Sequence, residues 1–128
     1  MSDLQQKMDD SVTRIFKVVF PNTTNHYDTL FGGTAMQMMD EVAFIAATRF
    51  SRKKVVTVSS SQIDFKVPIP ADTIVELVAR VVEVGTTSCE VLVEVFQEDM
   101  YRAGRKESIT GTFTFVSVDD HKRPTPIL

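Results

Sequence analysis

The sequence predicts an α+β domain in which one long helix packs against a curved antiparallel β-sheet. Two observations carry this reading. From Thr34 to about Phe50, apolar residues recur at spacings of three and four, the period of one helix face. Around that stretch lie extended segments, one before it and four after it, and the later ones are joined by short turns. Consecutive strands with short links pair antiparallel. A sheet must cover its apolar face, and the single long helix is the cover available. A chain of 128 residues suits one domain, taken here as 1–128, with a workable core.

The elements follow in order. Residues 1 to about 12 are polar and acidic and read as a loose or short helical arm. Arg14 to Phe20, RIFKVVF, is β-branched and aromatic and reads as a strand that Pro21 ends. Asn22 to Thr29 is rich in turn formers and reads as a loop leading into Leu30, Phe31, Gly32 and Gly33. The helix then carries Met36, Met39, Ala43, Ala47 and Phe50 on one face, and Arg49, Arg52, Lys53 and Lys54 gather near its end, where cations suit the helix dipole. Val55 to Phe65 is extended and stops at the proline-rich VPIPAD. Thr73 to Val84 is a strand, Gly85-Thr86-Thr87 a turn, and Ser88 to Glu98 an alternating strand with Val91, Val93 and Val95 on one side. Asp99 to Arg105 reads as a loop and Lys106 to Val118 as the last strand, with Phe113 and Phe115 on one face. The tail, about 119–128, holds two prolines and reads as irregular. Such a sheet has free edges, which makes edge-to-edge dimerisation an expectation.

One carboxylate stands out on the helix. At 100° per residue, Asp40 lies only about 40° from Met36, within the apolar stripe, whereas Glu41 lies about 140° away on the polar side. A carboxylate on such a stripe is costly unless paired, hydrogen-bonded or solvated in a cavity. Two readings stay open: a rim residue held by a neighbouring group, or a carboxylate in an apolar pocket serving as general base or nucleophile. Gly32-Gly33, directly before the helix, permit close approach of a ligand to the backbone. The unpaired N–H groups of the first turn could bind an oxyanion; the alternative is a plain glycine-rich helix start. A carboxylate and an oxyanion site together are the parts that acyl transfer to water requires.

Other classes lose ground. The formal net charge of -3 lacks the basic excess usual in nucleic-acid binders. No run approaches the ~18 apolar residues of a membrane helix, and no apolar signal core opens the chain. The lone Cys89 permits no intrachain disulfide. The expectation is a soluble, cytoplasmic protein that binds neither nucleic acid nor membrane. Cys89 sits in an alternating strand and reads as a packed thiol. Two distant histidines and one cysteine offer no metal constellation. There is no P-loop, dinucleotide fingerprint or Gly-x-Ser-x-Gly elbow. The Arg52-Lys53-Lys54 run could attract the phosphates of a ligand, but a solvated helix end is the better reading.

The string Asn25-His26-Tyr27-Asp28-Thr29-Leu30-Phe31-Gly32-Gly33, followed by Met39-Asp40-Glu41, resembles the signature of hotdog-fold acyl-CoA thioesterases. So do Val56-Thr57-Val58-Ser59 leading to Asp64-Phe65-Lys66, and the turn Gly85-Thr86-Thr87-Ser88. The resemblance runs from about Arg14 to Val118. It implies the hotdog fold, a long helix wrapped by an antiparallel sheet, and hydrolysis of fatty acyl-CoA to free CoA and a carboxylic acid. It further implies that Asp40 is general base or nucleophile, that Asn25 orients water or the thioester carbonyl, and that Gly32 and Gly33 supply the oxyanion backbone. Thr57, Ser59, Gly85, Thr86, Thr87 and Ser88 are implied to contact coenzyme A, which enters as part of the substrate, with no separate cofactor. It also implies dimers, assembled as a trimer of dimers, with Asn25 and Asp40 of one site drawn from different subunits.

Asp28 and Asp72 stand where glycine is common in the family, and His26 lies in the loop without a family role. Two competing functions are weighed. A hotdog hydratase or dehydratase generally wants a histidine beside the carboxylate, and the helix has none. A non-catalytic module that binds acyl-CoA would be expected to come fused to a regulatory domain, for which this length leaves no room.

Overall fold

A computed structural model describes residues 3–128. Met1 and Ser2 of the expected arm lie outside the described residues. The rest of the arm takes the helical alternative as α1, Asp3–Asp10. Arg49 ties it down: its guanidinium donates to Asp10 O at 3.1 Å, Val12 O at 3.0 Å and Thr13 Oγ1 at 2.9 Å. Lys7 also stands 5.3 Å above the centre of the Phe50 ring.

The remaining elements are β1 (Thr13–Val19), a 3-10 turn at Pro21–Thr23, α2 (Gly32–Ser51), β2 (Val55–Ser60), β3 (Asp64–Phe65), β4 (Thr73–Val84), β5 (Ser88–Asp99) and β6 (Lys106–Ser117). The strands form one sheet in the order β1-β4-β5-β6-β2, with β3 also pairing β6, and every pair is antiparallel. The expected helix-on-sheet architecture is therefore present, with β1 and β2 at its two edges.

The stretch read as one strand, Val55 to Phe65, is two. Val58 bulges between the pairs Thr57↔Phe115 and Ser59↔Thr114. Ser61 then donates its N–H to Thr112 O at 2.7 Å and accepts Thr112 N–H on its hydroxyl at 2.9 Å. A side chain thus replaces one rung of the ladder before β3 resumes at Asp64↔Thr110. A bulge of this kind bends the strand and re-aims its side chains, a feature that apolar alternation does not encode.

The core lies between α2 and the inner face of the sheet. Register stacks it in rows: Leu77, Val95 and Ile109; Ala79, Val93 and Gly111; Val81, Val91 and Phe113. Ala35, Met39, Val42, Ala43, Ala46, Ala47 and Phe50 of α2 close it from above. Small alanines let the helix approach the sheet, and Gly111 makes room where Met39 descends. A Cβ at Gly111 would lie 2.3 Å from Ile63 Cδ1 and 3.4 Å from Met39 Cε. Met36 departs from expectation. By angle it belongs to the stripe, yet it is 40% exposed, because the flank of the first helical turns projects past its cover.

Two loops are fixed by aspartates with positive φ, Asp28 at 60° and Asp72 at 62°. This explains why glycine suits both places and why aspartate, which tolerates the left-handed region, can replace it. Asp28 O accepts Ala71 N–H at 3.0 Å, which joins the two loops. The tail contains no helix or strand but is anchored: Ile127 is fully buried and donates its N–H to Thr86 O at 3.0 Å. Among the described residues, no helix is long and apolar enough to cross a membrane.

Candidate active site

Three elements bring the candidate residues together: the loop before α2, the first turns of α2, and the bulged edge strand β2. α2 starts at Gly32, not Thr34, so the glycine pair forms its first turn. The first bond of the ladder runs from Ala35 N to Phe31 O at 3.0 Å. The N–H groups of Gly32, Gly33 and Thr34 therefore precede the ladder and point out of the helix end. No side chain caps this end and its first turn contains no acidic residue, so its positive potential is not neutralised locally.

Asp40 lies two turns further on, half-buried on the flank that faces β2. Thr57 Oγ1 donates to Asp40 Oδ1 at 2.8 Å. The register explains this contact. Thr57 pairs with Phe115, a core residue, and cross-strand partners share a face; Thr57 thus points toward the helix. The bond engages one carboxylate oxygen and restrains the group's rotation, and Asp40 lines a cleft of about 460 Å³. Gly33, Met36, Gln37 and Phe113 line the cleft together with Asp40 and Thr57–Ser60. The bulge at Val58 brings Ser60, rather than Ser59, opposite Phe113, while Ser59 pairs with Thr114. Asp40 is thus held by a neighbour at the edge of the stripe, and it lines a cleft whose walls mix apolar and polar side chains.

Asn25 is held differently. Its side-chain carbonyl accepts Tyr27 N–H at 2.9 Å, Thr29 N–H at 3.3 Å and the Thr29 hydroxyl at 3.1 Å. With Oδ1 engaged three times, the free chemistry of this amide is donation through Nδ2. Asn25 does not line the Asp40 cleft of its own protomer. His26 is exposed, with its ring tilted 39° against that of Tyr27 at 3.9 Å between centroids.

The turn Gly85–Ser88 is separate again. It borders a smaller cleft with Glu83, Glu90, Cys89 and Thr114, and shares no lining residue with the Asp40 cleft. A hydrogen bond with Glu83 pushes the Glu90 carboxyl above its ordinary range. One protomer therefore unites Asp40, Thr57, Ser59 and Gly33, but not Asn25 or residues 85–88. Sequence reasoning missed Thr57 as the partner of Asp40, and it missed Gln37 and Ser60 as wall residues. Gln37, one helical turn before Asp40, was accessible to the i, i+3 rule. The Thr57 contact depends on strand register and left no local signal.

Comparison with known proteins places this geometry. The model of the thioesterase superfamily matches residues 27–103. An uncharacterized acyl-CoA thioester hydrolase of Bacillus subtilis is 40% identical over 109 residues, covering 85% of this chain and 63% of the relative. The chain thus spans less than two thirds of that relative's length. An acyl-CoA hydrolase of Staphylococcus aureus, solved with butyryl coenzyme A, coenzyme A and coenzyme A disulfide, superposes with a TM-score of 0.89 at 37% identity, over 93% of this chain and 73% of that one. Structures of that enzyme also exist with a threonine, an aspartate or an asparagine replaced by alanine. A hexameric thioesterase of Yersinia pestis gives a TM-score of 0.81 at 28% identity, over 88% of this chain and 91% of its own. The helix-and-sheet architecture is that of these acyl-CoA hydrolases, the hotdog fold.

Proposed function

The chain belongs to the thioesterase superfamily, and from that premise we propose that it hydrolyses acyl-CoA thioesters to free coenzyme A and a carboxylic acid. The observation that carries the proposal is the oriented Asp40 carboxylate, held by Thr57 beside an uncapped helix start. Asp40 Oδ2 acts as general base on water or as nucleophile on the thioester carbonyl. The N–H groups of Gly32 and Gly33 receive the oxyanion as the carbonyl becomes tetrahedral. Collapse of that intermediate expels the thiolate of coenzyme A, which takes up a proton to leave as the thiol; on the nucleophile route the resulting Asp40 anhydride is then cleaved by water, which frees the carboxylic acid and restores the carboxylate. Coenzyme A enters as part of the substrate, and no further cofactor takes part in this scheme.

Asn25, as a donor, is suited to the carbonyl oxygen more than to a water proton. It must reach the site from elsewhere, because it stands outside the Asp40 cleft of its own subunit. We assign it to the site of a second copy. Val56 and Val58 on β2 and Met36 beside it are exposed apolar side chains, at 45%, 53% and 40%, and an open edge strand is a template for pairing. A dimer across β2, and a trimer of dimers built from it, accords with the hexameric Yersinia pestis thioesterase. The residue assignment has separate support. The asparagine, aspartate and threonine replaced in the Staphylococcus aureus enzyme occur in the same order and at the same intervals as Asn25, Asp40 and Thr57.

Release of free thiol from a panel of acyl-CoAs tests the function. Wild type is expected to turn over at least one chain length, and Asp40→Ala to lose between about a hundredfold and ten-thousandfold in kcat, the usual worth of a positioned acid–base group. Hydrolysis unchanged in Asp40→Ala removes Asp40 from the mechanism. Wild type inert on short, medium and long chains removes the activity itself.

A further inference from the structure

The scheme above gives the thioester carbonyl two sets of donors, the helix-start N–H groups and Asn25, and leaves the attacking water to Asp40 alone. A water held by one acceptor still turns about that bond. Aiming its lone pair at a carbonyl carbon takes an acceptor for each of its two protons. The walls of the Asp40 cleft offer a short choice: the hydroxyls of Thr57, Ser59 and Ser60, and the amide of Gln37. The Thr57 proton is already spent on Asp40 Oδ1 at 2.8 Å. A serine hydroxyl brings a proton that itself needs an acceptor, whereas an amide carbonyl only accepts.

Gln37 is placed for this task. It lies three residues before Asp40 on α2, and residues at that spacing are neighbours on a helix surface, with Cβ atoms about 5–6 Å apart. Gly33 lies four residues before Gln37 on the same flank, about 6 Å further along the axis. All three line one cleft. Gln37 thus stands between a candidate oxyanion N–H and the candidate base, beside the space in which the tetrahedral centre forms. It is exposed, and its amide makes no hydrogen bond among the described residues. Asp40 is the one titratable side chain among the residues that line the cleft, so no second charge competes for the amide there.

We propose that Gln37 orients the hydrolytic water: its Oε1 accepts a hydrogen bond from one O–H of a water whose other proton goes to Asp40. The inference rests on the thioesterase reading and deepens it, because of the two routes open to Asp40 it assigns the general base. Gly33 and Asp40 stand about 10 Å apart along the helix axis, a separation that suits a water between carbonyl and carboxylate better than direct attack by a short side chain. As the water oxygen bonds to the carbonyl carbon, Asp40 takes the first proton, and the carbonyl electron pair moves onto the oxygen held at the helix start. The second proton, hydrogen-bonded to Gln37 Oε1, stays on the product acid. The C–S bond then breaks, and the proton on Asp40 passes to the departing thiolate.

The test measures kcat, KM and the pH dependence of kcat/KM, on an acyl-CoA that wild type turns over, in wild type, Gln37→Leu and Gln37→Glu. Leucine fills nearly the same space without an acceptor. Its kcat is expected to fall by about tenfold, the upper worth of one neutral hydrogen bond, while KM holds and the acid limb of the pH profile stays in place. Glutamate keeps an acceptor and adds a charge beside Asp40. Its kcat at the alkaline plateau is expected to return close to wild type, and its acid limb to move to higher pH, because a neighbouring carboxylate disfavours ionisation of Asp40. The pair of results separates orientation of water from a merely structural role, which would not be rescued by glutamate. Wild-type kcat in Gln37→Leu, or a loss confined to KM, overturns the inference and leaves the thioesterase reading standing. So does a Gln37→Glu enzyme as slow at its plateau as Gln37→Leu. A wild type inert on short, medium and long acyl-CoAs defeats the thioesterase reading instead, and the role of Gln37 falls with it.

Discussion

Thr57 and Asp40 meet through one hydrogen bond at 2.8 Å, and its worth is measurable. Thr57→Val removes the hydroxyl while keeping nearly the same volume, and leaves Asp40 free to rotate. A hydrogen bond to a charged group contributes about 1.5–3 kcal/mol, so kcat/KM for an acyl-CoA is expected to fall by roughly ten- to a hundredfold. Thr57→Ser should keep most of the activity, since the donor survives; equal losses in both variants would argue against the hydroxyl. Cys89 makes a different prediction. Burial pushes its thiol from the ordinary 9.0 up to about 11, because a buried thiolate is poorly solvated. The unfolded chain therefore releases this proton first as pH rises. The stability tied to the neutral thiol is complete below about pH 9 and is lost as pH climbs toward about 11. Melting temperature should decline across that window, and Cys89→Ala should flatten the decline. Asp40 was legible in the sequence by its angle on the stripe, and Cys89 by its place in an alternating strand. The partner of Asp40 was not, because Thr57 reaches it only through the β2–β6 register.

At the scale of elements, the helix and the late strands were legible because apolar period encodes them directly. The first turn of α2 was not. Glycine is a poor helix former, so Gly32 and Gly33 read as a lead-in, yet both are helical. The N-terminal arm lacked an apolar stripe and gave no sign that it would dock. Its docking depends on Arg49, a residue of another helix, whose guanidinium bonds three oxygens between Asp10 and Thr13. Arg49→Ala is expected to cost about 1–2 kcal/mol of stability, the value of charge-assisted bonds at a partly exposed site. Hydrogen exchange should then show α1 opening before the sheet. Unchanged protection of residues 3–10 would mean that the Lys7–Phe50 contact and local helicity suffice. The break between β2 and β3 was hidden for a related reason: Ser61 completes the ladder with its side chain, and a bulge residue such as Val58 has the composition of an ordinary strand.

At the scale of the molecule, the sheet order exposes β2 as an edge, and the flank of α2 beside it carries Met36 uncovered. The proposed second subunit, laid across this edge, would account for the apolar surface, the open cleft and an Asn25 that stands outside that cleft. Only the family resemblance suggested how such a site is divided between chains, since a single chain's own pattern says nothing about contacts with its copy. The most direct test mixes two inactive proteins. Asn25→Ala and Asp40→Ala subunits are unfolded together, refolded as mixed oligomers, and assayed for thiol release. In a two-fold dimer with each site drawn from both chains, random mixing restores one intact site in half of the dimers, about a quarter of wild-type activity. Recovery near that level is the predicted result. No recovery, with mixed oligomers verified by mass, contradicts a site shared between Asp40 of one subunit and Asn25 of the next.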